Sequence, residues 1–91
     1  MRNNFIKHLY NAHEMGFGIT IIRVSGIRTK SAIGRIESID RTEGDYIVIK
    51  VNGRSFVVTD DDIITSDFSH PSKKVYGIYS EEDDCTITVI F

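Results

Sequence analysis

The sequence predicts a mainly β fold with a short α-helix at its N-terminus, on three observations. Among the apolar residues, fifteen Ile and seven Val stand against one Leu, and branching at Cβ suits a pleated strand better than a helix. Apolar and polar residues alternate along several short segments, as they do in half-buried strands. Two such segments, residues 46–51 and 54–59, are separated only by Asn52-Gly53, a pair that fits a two-residue hairpin turn.

The length of this turn sets the register of the predicted hairpin. Three pairs face each other across it: Val51 with Arg54, Ile49 with Phe56, and Ile47 with Val58. One face of the hairpin is then apolar, while the other face mixes polar and apolar residues. A ribbon with one apolar face has to bury that face, so we expect the hairpin at the centre of a small barrel or sandwich.

Residues 1–16 predict the N-terminal helix. Asn3 or Asn4 is the expected N-cap, and Gly16 is placed to end the helix just after Met15. Five residues recur at helical spacing and form a stripe that we expect to pack on the strands: Phe5, Ile6, Leu9, Tyr10 and His13.

Residues 17–91 predict a barrel in the same single domain. Expected strands cover residues 17–24, 27–39, 46–51, 54–59, 75–79 and 86–91. The second is expected to bend or bulge near Gly34, and Ser25-Gly26 to form the turn before it. Polar turns are expected at 41–45 and 81–84 and a loop at 69–74, while Asp60–Asp62 lead into a helical turn or short strand at Ile63-Ile64. A helix followed by five to six short strands is typical of an SH3-like or Sm-like barrel.

Composition excludes several classes of protein. The chain contains one cysteine, Cys85, so no disulfide forms within it. No run of about 18 apolar residues is present, and the first residues resemble a helix start more than a signal peptide. We therefore expect a cytoplasmic protein without a membrane partner.

No catalytic grouping, phosphate loop or dinucleotide-binding glycine pattern is present in the sequence. The histidines and Cys85 lack the spacing of metal ligands, and the run Asp60–Asp62 lacks the alternate spacing of a calcium loop. The sequence therefore predicts a binding protein that is not an enzyme and carries no cofactor or metal.

Charge is divided unevenly along the chain. Residues 1–35 contain six Lys or Arg and one Glu, a net charge of +5, whereas residues 36–91 contain five bases and twelve acids, a net charge of −7. A turn at Ser25-Gly26 would place Arg23 opposite Arg28, with Lys30 on the same face. Like charges facing each other across strands are unfavourable, so an acidic turn of the chain, an anion or a partner should offset them.

Two sets of candidate site residues follow. The acidic set is expected to contact a protein partner: Asp60, Asp61, Asp62, Glu81, Glu82, Asp83 and Asp84. The basic set is the alternative and is expected to contact RNA or another anion: Arg23, Arg28, Lys30 and Arg35.

One segment resembles a known family. Residues 62–71 read Asp-Ile-Ile-Thr-Ser-Asp-Phe-Ser-His-Pro, which is similar to the corresponding region of the Rof family, with Asp67 inserted before Phe68. Rof proteins are small bacterial inhibitors of the transcription terminator Rho. The resemblance implies an Sm-like barrel that docks on the RNA-binding domain of Rho through an acidic surface. In this chain the acids lie at 60–62 and 81–84 and not on the helix, and an extra strand follows the second acidic turn.

Two functions from different classes remain open. The first is a protein-directed regulator that presents acidic loops to a basic, nucleic-acid-binding surface such as that of Rho; a small phage-type inhibitor of a host system would act by the same physics. The second is a direct, Sm-like RNA-binding protein, arranged as a ring or dimer through its exposed strand edges.

Overall fold

The structure is a computed structural model that describes residues 1–42, 46–67, 69 and 73–91. Its elements are α1 (Arg2–Met15), β1 (Gly18–Ser25), β2 (Arg28–Arg41), β3 (Ile47–Val51), β4 (Arg54–Val58), β5 (Ile63–Asp67), β6 (Val75–Ser80) and β7 (Cys85–Ile90). The strands form one antiparallel sheet in the order β4-β3-β2-β1-β7-β6-β5. The predicted mainly β fold with an N-terminal helix is confirmed.

The described part of the chain has seven strands, where the sequence predicted five to six. The additional strand is β5, which pairs with β6 from Ile63 opposite Tyr79 to Asp67 opposite Val75. The short strand at Ile63-Ile64 was therefore the correct alternative, and it extends further than expected. Three parts of the predictions fall on residues outside the described ones. They are residues 43–45 of the predicted turn at 41–45, Phe68 of the Rof-like segment, and residues 70–72 of the predicted loop at 69–74.

The Asn-Gly hairpin has the predicted register, with Ile49 opposite Phe56. Asn52 and Gly53 both adopt positive φ, at 50° and 77°, as a tight turn matching the twist of the strands requires. The five residues of its apolar face are each at most 1% exposed: Ile47, Ile49, Val51, Phe56 and Val58. The predicted burial of this face is confirmed. Its predicted position at the centre is wrong, because β4 is an edge strand of the sheet.

The turn between β1 and β2 lies one residue further along than predicted. It consists of Gly26-Ile27, so Arg23 faces Lys30 and Arg28 faces Ser25. Gly26 has a φ of 60° while Ile27 has a negative φ, which is the pattern of a turn with glycine at its first central position. The predicted placement would have put Ser25 at that position, where a residue with a Cβ is strained.

Strand β2 pairs with β1 through its first half and with β3 through its second half. The pairing register shifts between Ile36 and Ser38, so the bulge lies at Glu37, three residues beyond the predicted site at Gly34. The Glu37 carboxylate accepts a hydrogen bond of 2.7 Å from the Gly53 N–H. The bulge therefore ties β2 to the turn of the neighbouring hairpin.

Helix α1 begins at Arg2, with Met1 as N-cap and no side-chain cap, so the predicted Asn cap is wrong. It ends as predicted at Gly16, whose φ is 72°. The Gly16 N–H donates to His13 O and the Phe17 N–H donates to Ala12 O, which together form a Schellman motif. The buried residues of the helix face the sheet: Phe5, Leu9 and Ala12.

The core is one cluster that includes residues of the helix and of edge strand β4, and Ile64 of the other edge strand, β5, packs against it. The sheet therefore curls around α1, but edge strands β4 and β5 are not paired with each other and the sheet is not closed. Near this opening, Arg2 Nη1 donates a 3.0 Å hydrogen bond to Thr59 O. Within the described residues, no helix is long and apolar enough to cross a membrane.

Candidate functional site

The two acidic turns lie side by side at one end of the sheet. The first, residues 60–62, precedes β5, and the second, residues 81–84, joins β6 to β7. Because Ile63 faces Tyr79 across β5 and β6, the first turn meets the start of the second. We call these seven residues the acidic end. Six residues line a groove of about 350 Å³ there: Thr59, Asp61, Asp62, Ser80, Glu81 and Glu82.

Within the first turn, Asp62 has a structural role. Its carboxylate accepts two hydrogen bonds of 2.8 Å, one from the Thr59 N–H and one from the Thr59 hydroxyl, and its own N–H donates to Thr59 O. Charged acceptors make the stronger class of hydrogen bond. Asp62 therefore holds the turn closed, while Asp60 and Asp61 are exposed to solvent.

Within the second turn, the Asp83 N–H donates to the Ser80 hydroxyl over 3.3 Å. Asp84 adopts a left-handed conformation with a φ of 47°, which Asp tolerates better than most residues. The Tyr79 hydroxyl donates to an Asp84 carboxylate oxygen over 3.4 Å. This neighbouring negative charge disfavours the phenolate and so raises the pKa of Tyr79.

The predicted pair of Arg23 and Arg28 is wrong, because the turn lies one residue further along; Arg23 faces Lys30 instead, which is also a pair of like charges. Both side chains line a pocket of about 230 Å³ on the inner side of the sheet, where Asp62 and Asp83 also contribute. Lys30 donates to Ser55 O and its Nζ lies 4.8 Å from the centroid of the Phe56 ring. One residue from each acidic turn thus lines the same pocket as the two cations.

Of the other two predicted cations, Arg28 lies two residues from Lys30 on the same face of β2, whereas Arg35 lies apart. Arg28 is exposed beside the Gly26-Ile27 turn, and Arg35 faces Gly18 at the opposite end of the β1–β2 pairing. Five residues separate Lys30 from Arg35, which is about 16 Å along a strand. The structure therefore brings the acidic set together, keeps three of the four predicted bases at the same end of the β1–β2 pair and separates only Arg35 from them.

The sequence analysis missed a cluster around His8. His8 Nδ1 and the Tyr76 hydroxyl are 2.5 Å apart, and Lys74 Nζ lies 3.2 Å from His8 Nε2. Since a lysine ammonium only donates, Nε2 is the acceptor and Nδ1 carries the proton of the neutral ring. Burial first, and then the charges of Lys74 and Lys7, lower the pKa of His8.

The cluster also supports the core, because Tyr76 is fully buried and a buried phenol requires a hydrogen-bond partner. Its ring contacts Phe5 and Phe91 at centroid distances of 5.2 and 5.8 Å. The sequence did contain an indication that His8 contacts the core, because His8 lies three residues after Phe5 on the helix. Residues at this spacing are neighbours on a helix surface, so His8 lies next to the buried face.

In the described part of the chain, no three His, Cys, Asp or Glu side chains are grouped so as to hold a metal ion. A comparison with protein families, curated proteins and solved structures found no match to this chain.

Proposed function

We propose that this chain is a non-enzymatic regulatory module that docks its acidic end on a basic, nucleic-acid-binding surface of a larger cytoplasmic protein, as a Rof-like protein docks on Rho. One observation carries the proposal. Two acidic turns that are about twenty residues apart in the sequence flank a single groove. A basic partner surface would meet carboxylates from both turns at once.

Electrostatics favour this kind of partner. Six of the seven acids at this end are exposed and only Asp62 is half-buried. A concentration of one sign of charge on a surface accelerates encounter with an oppositely charged partner and repels nucleic acid. Association through this end is therefore expected to depend strongly on salt.

The fold supports a small-barrel relationship of the SH3-like or Sm-like kind. The long bulged β2 contributes to two strand pairings, as the bent strands of small barrels do. Near the unpaired edges, Lys30 bonds the backbone of β4 and Arg2 bonds Thr59. We propose that the sheet is a small barrel opened between β4 and β5, with α1 packed against its core.

Direct RNA binding is the weaker alternative. Arg23 and Lys30 lie on the inner side of the sheet, in a pocket that two acidic residues also line. Arg28 lies at the same end, and Arg35 lies at the other. Binding of the phosphate backbone requires a continuous basic track with several contacts. Three bases next to seven acids, with the fourth base apart, do not form such a track.

The proposal is tested by measuring binding of the chain to purified Rho at two salt concentrations. A variant combining Asp60→Asn, Asp61→Asn, Glu81→Gln and Glu82→Gln should bind at least about tenfold more weakly, because four rim charges are removed. Asp62 is left unchanged because it holds its turn. The matched control is Asp40→Asn, an exposed acid on β2 outside the acidic end, which should bind like the unmodified chain.

Fluorescent single-stranded RNA provides the second arm of the experiment. The unmodified chain should not bind it. The opposite result would overturn the proposal: no binding to Rho, together with RNA binding that depends steeply on salt. In that case the double variant Arg23→Gln, Lys30→Gln should lose RNA binding.

A further inference from the structure

The outward side of strands β5, β6, β7, β1 and β2 is almost without charge. The strand register places fifteen residues on it in three cross-strand rows. The rows are Ile63, Tyr79, Thr86, Val24 and Thr29; Thr65, Gly77, Thr88, Ile22 and Ser31; and Asp67, Val75, Ile90, Thr20 and Ile33. We call this set the outer face.

Only Asp67 in this set is charged, and it lies at a corner. Charged residues make up 26% of the chain, so about four would be expected among fifteen positions of an ordinary solvated surface. Seven of the fifteen are apolar and five are threonine. The composition is that of a surface that packs against another surface.

The outer face is accessible in the described structure. Helix α1 packs on the opposite side of the sheet with the core, and no residue of the outer face is buried. Ile33, Ile63 and Val24 are 71%, 50% and 43% exposed. Five strands about 4.8 Å apart and about five residues long give a patch of roughly 350 Å², in the range where the largest surface patches are often functional.

The ends of the strands differ in charge. At one end lie the seven acids of the acidic end together with Arg28. At the other lie three bases, Lys73, Lys74 and Arg35, together with Asp67. Tyr79 connects the outer face to the acidic end, because its hydroxyl bonds Asp84. The outer face thus has one rim with a net negative charge, the acidic rim, and one with a net positive charge, the basic rim.

We propose that the outer face binds a second copy of this chain, sheet against sheet. A face with one charge among fifteen residues lacks the charged contacts that nucleic acid or a charged partner would use, whereas a second copy presents the same apolar surface to it. A two-fold axis in the interface and perpendicular to the strands places the acidic rim of each copy over the basic rim of the other. An axis parallel to the strands would place acid over acid, so charge complementarity selects the antiparallel arrangement.

This contact goes beyond the proposed docking of the acidic end. The groove at that end opens between the acidic turns, whereas the outer face lies on the solvent side of the strands. The patch is about half of the roughly 800 Å² per partner of a standard interface. The dimer is therefore expected to be weak, with a dissociation constant in the micromolar range or above.

Sedimentation velocity of the full chain from about 10 μM to about 1 mM tests the proposal. The mass is expected to rise from monomer to dimer across this range. Val24→Lys should weaken the dimer at least about tenfold, because it places an unpaired charge in the interface. The matched control is Val57→Lys, since Val57 is 46% exposed on β4, outside the outer face; this variant should dimerise normally.

Circular dichroism of both variants confirms that they fold, and Thr88→Lys at the centre of the outer face provides a second disruption. A chain that stays monomeric at about 1 mM overturns the proposal, and so does a Val24→Lys variant that dimerises like Val57→Lys. For the arrangement, Glu81→Lys and Lys73→Glu should each weaken the dimer, and the double variant should restore it. A double variant weaker than either single overturns the antiparallel arrangement.

Discussion

The inward face of the Asn-Gly hairpin can be tested by truncating two neighbouring residues of β4. Phe56 is 1% exposed, while the next residue, Val57, is 46% exposed. Successive residues of a strand point to opposite faces, so Phe56→Ala opens a core cavity, while Val57→Ala removes methyl groups that already contact water. The two substitutions therefore separate the two sides of the strand.

The expected costs differ severalfold. A buried Phe→Ala substitution costs about 3–5 kcal/mol of unfolding free energy, and the lost contact of the Lys30 ammonium with the ring adds about 0.5–1 kcal/mol. Val57→Ala at an exposed strand position should cost no more than about 1 kcal/mol. A domain of this size has only about 5–14 kcal/mol in total, so the first loss is a large share of its stability.

Thermal and urea unfolding followed by circular dichroism measure both costs. Each kcal/mol lowers Tm by about 4–8 °C in a domain of this size, so Phe56→Ala should lower Tm by at least about 12 °C. Phe56→Leu keeps most of the volume and provides a folded variant if the alanine variant does not fold. Equal losses at positions 56 and 57 would refute the assignment of faces.

Three further predictions concern groups outside the hairpin. Burial and nearby lysines lower the pKa of His8 below its ordinary 6.5, so the unfolded chain takes up this proton at a higher pH than the folded chain. The free energy of unfolding should therefore fall as pH drops below about 6.5. Urea titrations at several pH values measure this slope, and His8→Gln should flatten it. Gly16→Ala should cost about 1–2 kcal/mol in urea unfolding, because φ is 72° there, and Gly16→Asn should cost less. Asp84→Asn should lower the pKa of Tyr79 towards its ordinary value in an ultraviolet titration, whereas an unchanged value would show that the Asp84 charge is not its cause.

Features that depend on local backbone conformation were predictable from the sequence. Asn52-Gly53 and Gly16 need positive φ, which few residues adopt, and both predictions are confirmed. The turn after β1 was misplaced by one residue because Gly26 fits a two-residue turn at either central position. The helix start was misplaced because burial of Phe5 and Leu9 decides where the helix lies, and this outweighs a capping preference of about 1 kcal/mol.

Features that depend on long-range pairing were not predictable. Each acidic turn is visible in the sequence, but their meeting requires β5 to pair with β6, which no local pattern specifies. The contact between His8 and Tyr76 spans 68 residues and depends on the packing of α1. The neutrality of the outer face likewise becomes apparent only when the register of five strands is known.

The charge division along the sequence does not become a division of the molecule into a basic and an acidic side. Because β1 from the basic part lies between β2 and β7, basic and acidic parts share one sheet and cannot form opposite sides. Seven of the thirteen acids lie in two turns at one end, where Arg28 also lies, and Arg35 and Lys74 lie at the other. The two proposed contacts therefore respond differently to salt. Screening at high ionic strength should weaken docking of the acidic end on Rho much more than self-association, in which charge acts only at the rims.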